Sequence, residues 1–125
     1  MDDASAISRH AARASAAERP IDLVHLARMT LGERSLEREI LQLFDRQAML
    51  LMARMQAAPV EAVPSLAHTL KGSARAIGAI QVARAAEVVE GTDRADPVHF
   101  TRALAELRTV TEEARGFIAD LLRAH

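Results

Sequence analysis

The sequence has no cysteine, tryptophan or tyrosine, and only three phenylalanines in 125 residues. Without cysteine it can form no disulfide, thiolate nucleophile or cysteine-based metal site. No apolar run approaches the roughly 20 residues that span a bilayer. The net charge of −1 argues against electrostatic attraction to nucleic acid or an anionic membrane. The acidic start, Met1-Asp2-Asp3, does not resemble a secretory signal, so we expect a soluble cytoplasmic protein.

What the sequence does contain favours helix. Half of its residues are apolar, and alanine, leucine, arginine and glutamate, which are common throughout, are good helix formers. β-branched residues are too scattered to build a sheet core. We therefore predict an all-α protein, with residues 1–20 as a mobile or frayed extension and residues 21–125 as one domain.

Capping residues and apolar periodicity divide this domain into helices. Asp22 predicts the cap of a short leading helix, and Ser35 the cap of the next. Gly78 is placed to end a third helix in the left-handed conformation. Predicted core positions of the second helix recur at helical spacing: Leu36, Ile40, Leu43, Phe44, Ala48, Leu51 and Met55. A fourth helix runs to about Glu90 and a fifth from about 98 to 122. Together these elements predict an antiparallel four-helix bundle with a short leading helix.

Lysine is almost absent, since Lys71 is the only one among sixteen basic residues. It follows His68 by three residues, with Gly72 and Arg75 on the same predicted helix face. Two cations beside an imidazole suit an arriving anion such as a phosphoryl group, and a neutral imidazole nitrogen is a nucleophile near pH 7. A helical glycine costs about 1 kcal/mol relative to alanine. Gly72 therefore suggests either close packing or access for a partner.

Missing motifs narrow this chemistry. The histidine string has no acidic cluster that would hold Mg²⁺, and the chain has no glycine-rich nucleotide loop. A histidine here could accept and pass on a phosphoryl group, but the chain could not draw one from ATP. The other histidines form no metal-ligand spacing, so we expect no metal site: His10, His25, His99 and His125.

The string from His68 to Ala79, His-Thr-Leu-Lys-Gly-Ser-Ala-Arg-Ala-Ile-Gly-Ala, strongly resembles the core motif of histidine-containing phosphotransfer (HPt) domains. The resemblance implies a phosphorelay intermediate without kinase activity or a cofactor of its own. It implies His68 as phosphoacceptor through Nε2, Lys71 as stabiliser of phosphoryl charge and Gly72 as the gap for receiver approach. Glu90, 22 residues after the histidine, occupies the place of the family's ring-orienting residue.

The resemblance also implies partners. These are response-regulator receiver domains, which supply Mg²⁺, and a hybrid sensor histidine kinase. The docking face would surround the third and fourth helices. Independently of the resemblance, the charge and helical position of Arg75 make it a possible phosphoryl contact. Pro64 is a departure that predicts a shortened or bent start of the third helix.

An alternative function is a helical adaptor that binds a receiver or kinase without accepting phosphate. A dimeric phosphotransferase is discounted, because it would require a larger kinase-like nucleotide-binding domain. A self-contained bundle favours a monomer.

Overall fold

The computed structural model describes residues 19–124, and within this range the protein is helical without any β-strand. The five α-helices and one 3₁₀ turn are α1 (Leu23–Thr30), α2 (Arg34–Ala57), the 3₁₀ turn Val60–Ala62, α3 (Val63–Ile77), α4 (Ile80–Gly91) and α5 (Pro97–Ala124). The all-α prediction is confirmed. No helix in the described part of the chain is long and apolar enough to cross a membrane. The predicted extension falls almost wholly outside these residues.

The four longer helices form a closed bundle. α2 packs on α3, α3 on α4, α4 on α5, and α5 back on α2. Near one end, Arg38 of α2 donates to the carbonyl of Leu122 at 2.9 Å. Further along α2, Asp45 accepts from Arg115 of α5 at 2.8 Å. Because the α2 partner moves up the sequence as the α5 partner moves down, these two helices run antiparallel.

The core of the bundle is aliphatic. On α2, the predicted positions Phe44, Ala48, Leu51 and Met55 are buried, but the prediction is wrong for Leu43, which is 58% exposed. The buried residues of α2 recur every three or four positions on one face, and Leu43, one residue before Phe44, lies outside that face. Two unpredicted core residues complete this face: Leu41 and Met52.

Asp22 caps α1 as predicted. Its side chain accepts hydrogen bonds from the backbone N–H groups of Val24 and His25, each at 3.1 Å. The predicted cap of α2 is wrong: the N-cap position is Glu33, and Ser35 lies inside the first turn. α2 begins earlier than predicted because the left-handed turn at Leu31, which ends α1, is followed by only two residues before helical geometry resumes at Arg34.

The connection from α3 to α4 consists of Gly78 and Ala79 alone. Gly78 ends α3 in the left-handed conformation with φ of 85°, as predicted. At the other end, Pro64 lies in the first turn of α3, where its missing N–H is not needed. The proline therefore marks the start of the helix, and α3 extends from Val63 to Ile77, long enough to carry His68 in its middle.

Candidate functional site

His68 lies on the outer face of α3. The inner face of this helix is buried through Ala67, Leu70 and Ala74, which are fully enclosed in the core. His68 and Gly72 are four residues apart, so they share one face of the helix, and both are exposed on the side away from the core. The imidazole is 67% exposed, so a second protein can reach its ring without any rearrangement of the bundle.

A carboxylate from the neighbouring helix holds this ring. Glu90 of α4 places Oε2 at 2.7 Å from Nδ1 of His68. Because an ionised carboxylate can only accept, Nδ1 carries the proton and donates it to Glu90. In the neutral ring the lone pair then resides on Nε2. Within residues 19–124 no hydrogen bond engages this second nitrogen, which leaves it available as a nucleophile.

Lys71 binds the same carboxylate from the buried side. Its Nζ lies 2.6 Å from Oε1 of Glu90, and its side chain is only 13% exposed. That oxygen is buried and has no other polar partner among the described residues. The pKa of Glu90 is lowered, first because of the contact with Lys71 and then because of His68, while partial burial opposes the shift. Glu90 is therefore ionised at neutral pH.

The other two predicted site residues have different surroundings. A methyl group added at Gly72 would have no atom within 4 Å apart from its own stretch of helix. The packing of this chain does not require the glycine. Arg75, one turn further along α3, pairs loosely with Glu87 of α4 at 3.5 Å, and both side chains are more than half exposed. The structure thus brings three predicted residues into direct contact and leaves Arg75 in a neighbouring pair.

The contact between Lys71 and Glu90 was not predicted from the sequence. A signal for it existed, because the cations Lys71 and Arg75 are one turn apart on α3 and the carboxylates Glu87 and Glu90 are one turn apart on α4. Antiparallel neighbours with this spacing can form two rungs of opposite charge, and both rungs are present. From the sequence, the two cations were assigned to a phosphoryl group and Glu90 to the imidazole ring, and the cations were not paired with the carboxylates of α4.

Two other histidines within the described range have local roles. His25 uses Nε2 to donate to the carbonyl of Ala76 at 2.9 Å. His99 lies in the first turn of α5, where Asp96 accepts from its backbone N–H and from Nδ1 at 2.5 Å. Among residues 19–124, no group of three or more potential ligands could hold a metal ion.

An all-helical bundle with an exposed, carboxylate-held histidine has the features of a helical histidine phosphocarrier. The Hpt domain family model matches residues 34–117, which is more than half of the chain. The chain therefore belongs to the Hpt domain family. Domains of this family take part in histidine phosphotransfer within two-component phosphorelays, as carriers of the phosphoryl group and not as kinases. No curated protein and no solved structure matches the chain.

Proposed function

We propose that this protein is a phosphorelay intermediate in which His68 accepts a phosphoryl group from a receiver domain's aspartyl phosphate and passes it to another receiver. The observation that carries the proposal is the ring geometry. Nδ1 is engaged by Glu90 at 2.7 Å, while the ring as a whole is 67% exposed. The free lone pair is therefore on the nitrogen that a docked partner can reach.

The transfer step uses this geometry directly. Nε2 of His68 attacks phosphorus, the N–P bond forms, and the bond between phosphorus and the aspartate oxygen breaks, so the receiver recovers its carboxylate. The ring keeps its proton on Nδ1 and becomes positively charged as the N–P bond forms. The Glu90 carboxylate stabilises this charge, as buried carboxylates do for other catalytic imidazoles. In the return step a second receiver's aspartate attacks phosphorus and the N–P bond breaks.

Partner docking is assigned to the surface around Gly72. An open position beside the reactive ring allows another backbone to approach closely. On α2, which packs on α3, the apolar side chains Leu43 and Leu50 are each at least half exposed and share one face seven residues apart. That face is turned away from the α2 flank that contacts α5 through Asp45. We include these two leucines in the docking surface.

The partner supplies what this chain lacks. Phosphoryl transfer needs charge neutralisation on the phosphoryl oxygens, and the expected source is Mg²⁺ on the receiver domain. A hybrid sensor kinase is the expected origin of the phosphoryl group. A cytoplasmic location and a monomeric state belong to the same proposal.

The test is label transfer from a purified, radiolabelled phospho-receiver to the wild-type protein, His68→Gln and His99→Gln. His99 is a matched control because it is 66% exposed and also donates from Nδ1 to a carboxylate. We expect label on the wild type and on His99→Gln and none on His68→Gln. Undiminished labelling of His68→Gln would exclude the proposed phosphoacceptor. Intact pathway output from a His68→Ala strain would instead favour the adaptor function.

A further inference from the structure

We propose that the end of the bundle between α1, α2 and α5 holds a second site, which binds a small apolar α-amino acid. The site is a cavity of about 250 Å³. Its walls consist of four leucines and two side chains of opposite charge: Leu23, Leu26, Glu37, Arg38, Leu41 and Leu121. The inference does not depend on the proposed function, because none of these residues takes part in phosphoryl transfer.

The cavity is remote from the phosphorylation site. Glu90, which holds the ring of His68, lies in the last turn of α4, and α5 begins after a connection of only five residues, 92–96. Leu121 lies near the other end of α5, roughly 36 Å from Pro97 at about 1.5 Å per residue. A ligand in the cavity therefore does not contact His68, and the cavity is not part of the phosphorylation site.

The leucine walls favour an apolar occupant. Leu26 and Leu41 are buried, and Leu23 and Leu121 are half-buried. Protein interiors leave few voids larger than a water molecule, because each wall atom without a neighbour loses dispersion energy. A leucine wall offers water no hydrogen bond, so water does not replace these contacts. A short branched hydrocarbon chain among the leucines would restore them.

The volume limits the size of the ligand. Sites for drug-sized molecules occupy about 300–1,000 Å³, and the cavity of about 250 Å³ lies just below that range. It has room for one short apolar chain with a polar group attached. A nucleotide or a long-chain lipid is too large for it.

Arg38 provides a binding group for a carboxylate. Its Nη1 donates to the carbonyl of Leu122 at 2.9 Å, which holds the half-buried side chain between α2 and α5. Among residues 19–124, no carboxylate pairs with Arg38, and its other N–H groups have no hydrogen-bond partner. Guanidinium groups bind carboxylates through two parallel hydrogen bonds. A guanidinium that is held in place without a counter-charge therefore suits a carboxylate ligand.

Glu37 provides the opposite charge. Its Oε2 accepts from the buried hydroxyl of Thr30 at 3.1 Å, and Glu37 forms no ion pair within the described range. Adjacent residues on a helix point about 100° apart and do not face each other. Glu37 and Arg38 therefore do not neutralise one another, and the cavity has a negative and a positive group at two separate points of its wall.

An α-amino acid with a branched aliphatic side chain matches all three features. Its carboxylate binds Arg38, its ammonium group donates to Glu37, and its side chain lies among the leucines. A simple carboxylic acid would leave Glu37 unpaired, and a simple amine would leave Arg38 unpaired. A half-buried charge without a partner is unfavourable, so the two opposite charges select a ligand that carries both.

The experiment is an NMR titration of the whole wild-type chain with carbon-13-labelled leucine methyl groups. The three probes are L-leucine, 4-methylpentanoate, which lacks the ammonium group, and 3-methylbutylamine, which lacks the carboxylate. We expect L-leucine to cause saturable shifts of the methyl signals of the four cavity leucines and to leave those of Leu70, on α3, unchanged. Each analogue should bind at least about tenfold more weakly, equivalent to about 1.4 kcal/mol.

Two variants test the charged groups. Glu37→Gln and Arg38→Met should each weaken the binding of L-leucine at least about tenfold. Glu39→Gln and Arg46→Met make the same changes at exposed positions of α2 and should bind L-leucine as the wild type does. The comparison of the three probes uses the wild type alone, so it decides the proposal even if a variant does not fold.

No saturable shift of the cavity leucines with L-leucine would overturn the proposal. Equal binding of L-leucine and 4-methylpentanoate would also overturn it, because Glu37 would then have no part in recognition. His68→Gln should bind L-leucine as the wild type does. Binding of L-leucine to a chain that accepts no label from any phospho-receiver would therefore retain this site and reject only the relay role.

Discussion

At two places along α3 a glycine lies near a histidine, and the two pairs have opposite uses: Gly78 with His25 at the end of the helix, and Gly72 with His68 in its middle. At the connection to α4, Gly78 has φ of 85°, and an added Cβ would meet Asp22 and His25 at 3.1 to 3.2 Å. In the middle of the helix, Gly72 has ordinary helical geometry and open space around it. The first glycine is required by the fold of this chain. The second has no internal use, which is why we assign it to a partner.

The histidines follow the same division. Nε2 of His25 donates a hydrogen bond to the carbonyl of Ala76. A backbone hydrogen bond of 2.9 Å from the N–H of Asp22 to the carbonyl of Gly78 also joins α1 to the α3–α4 connection. His68 uses only Nδ1 and keeps Nε2 for another molecule. In this protein, an exposed ring nitrogen without a hydrogen-bond partner among residues 19–124 therefore indicates function better than the presence of a histidine alone.

The largest effect expected from this comparison is on stability. Gly78→Ala should lower the free energy of unfolding by about 2–4 kcal/mol, since a left-handed alanine costs roughly 1–2 kcal/mol and the close contacts add to it. Gly72→Ala should raise it by up to about 1 kcal/mol, because an exposed helix interior favours alanine. Chemical denaturation measures both.

Gly116→Ala is the control, because Gly116 on α5 also has open space around it. It should be stabilising to the same degree as Gly72→Ala. A destabilising Gly72→Ala would mean that the glycine is needed for packing within the chain after all.

The second prediction concerns docking. Gly72→Leu should slow phosphoryl transfer from a receiver at least about tenfold, equivalent to roughly 1.4 kcal/mol, because the side chain would occupy the space reserved for the partner. Phosphorylation by phosphoramidate should change little, since that donor needs no docking. Transfer rates from the two donors are measured on the same preparation.

Gly116→Leu introduces the same side chain away from the site and should leave both rates unchanged. If Gly72→Leu slows phosphorylation equally with the receiver and with phosphoramidate, the substitution disturbs the His68 ring itself and does not merely block the docking surface.

The third prediction concerns the cap that starts α1. Asp22→Ala removes the acceptor of two backbone N–H groups and should cost about 1 kcal/mol in unfolding free energy. Ser35→Ala should cost much less, because Ser35 lies within α2 and does not cap it. Denaturant midpoints of the two variants decide between these positions. A larger loss for Ser35→Ala would restore the cap that the sequence predicted.

The sequence was sufficient where local chemistry determines structure. Asp22 and Gly78 were identified because a cap and a left-handed glycine depend on residue type and immediate neighbours. Ser35 was misassigned because the preceding left-handed turn, centred on Leu31 with φ of 54°, admits the helix earlier. Leu43 was misassigned because it and its neighbour Phe44 are both apolar, and which of the two is buried depends on the helices that pack against α2.

At the functional site too, features set within one helix were predicted and a contact between two helices was not. His68 and Gly72 could be selected from spacing along one helix. The contact of Lys71 with Glu90 depends on the relative height of α3 and α4, which short-range patterns do not specify. Only the spacing of charges on both helices carried that information.

The smallest predicted effect is a pH dependence of stability that arises from Glu90 at the His68 site. The folded-state pKa of Glu90 lies below its ordinary value, with Lys71 the largest cause. A group of this kind stabilises the fold above its unfolded pKa of roughly 4.3, and this contribution is lost as pH falls through the folded pKa. Because the group is near the surface, we expect less than about 1 kcal/mol.

The stability difference between wild type and Glu90→Gln should therefore be constant near neutral pH and shrink as the solution becomes more acidic than the ordinary glutamate pKa. Asp96→Asn is the comparison, because the pKa of Asp96 is also lowered, chiefly by its side-chain hydrogen bond with His99. The stability difference between wild type and Asp96→Asn should also shrink in acid. The imidazole NMR signals of His68 should be the same in Asp96→Asn as in the wild type, because Asp96 contacts His99 and not His68. A difference for Glu90→Gln that persists unchanged into strong acid would mean that the carboxylate is not held ionised by Lys71, and the arrangement of His68, Glu90 and Lys71 would lose its electrostatic basis.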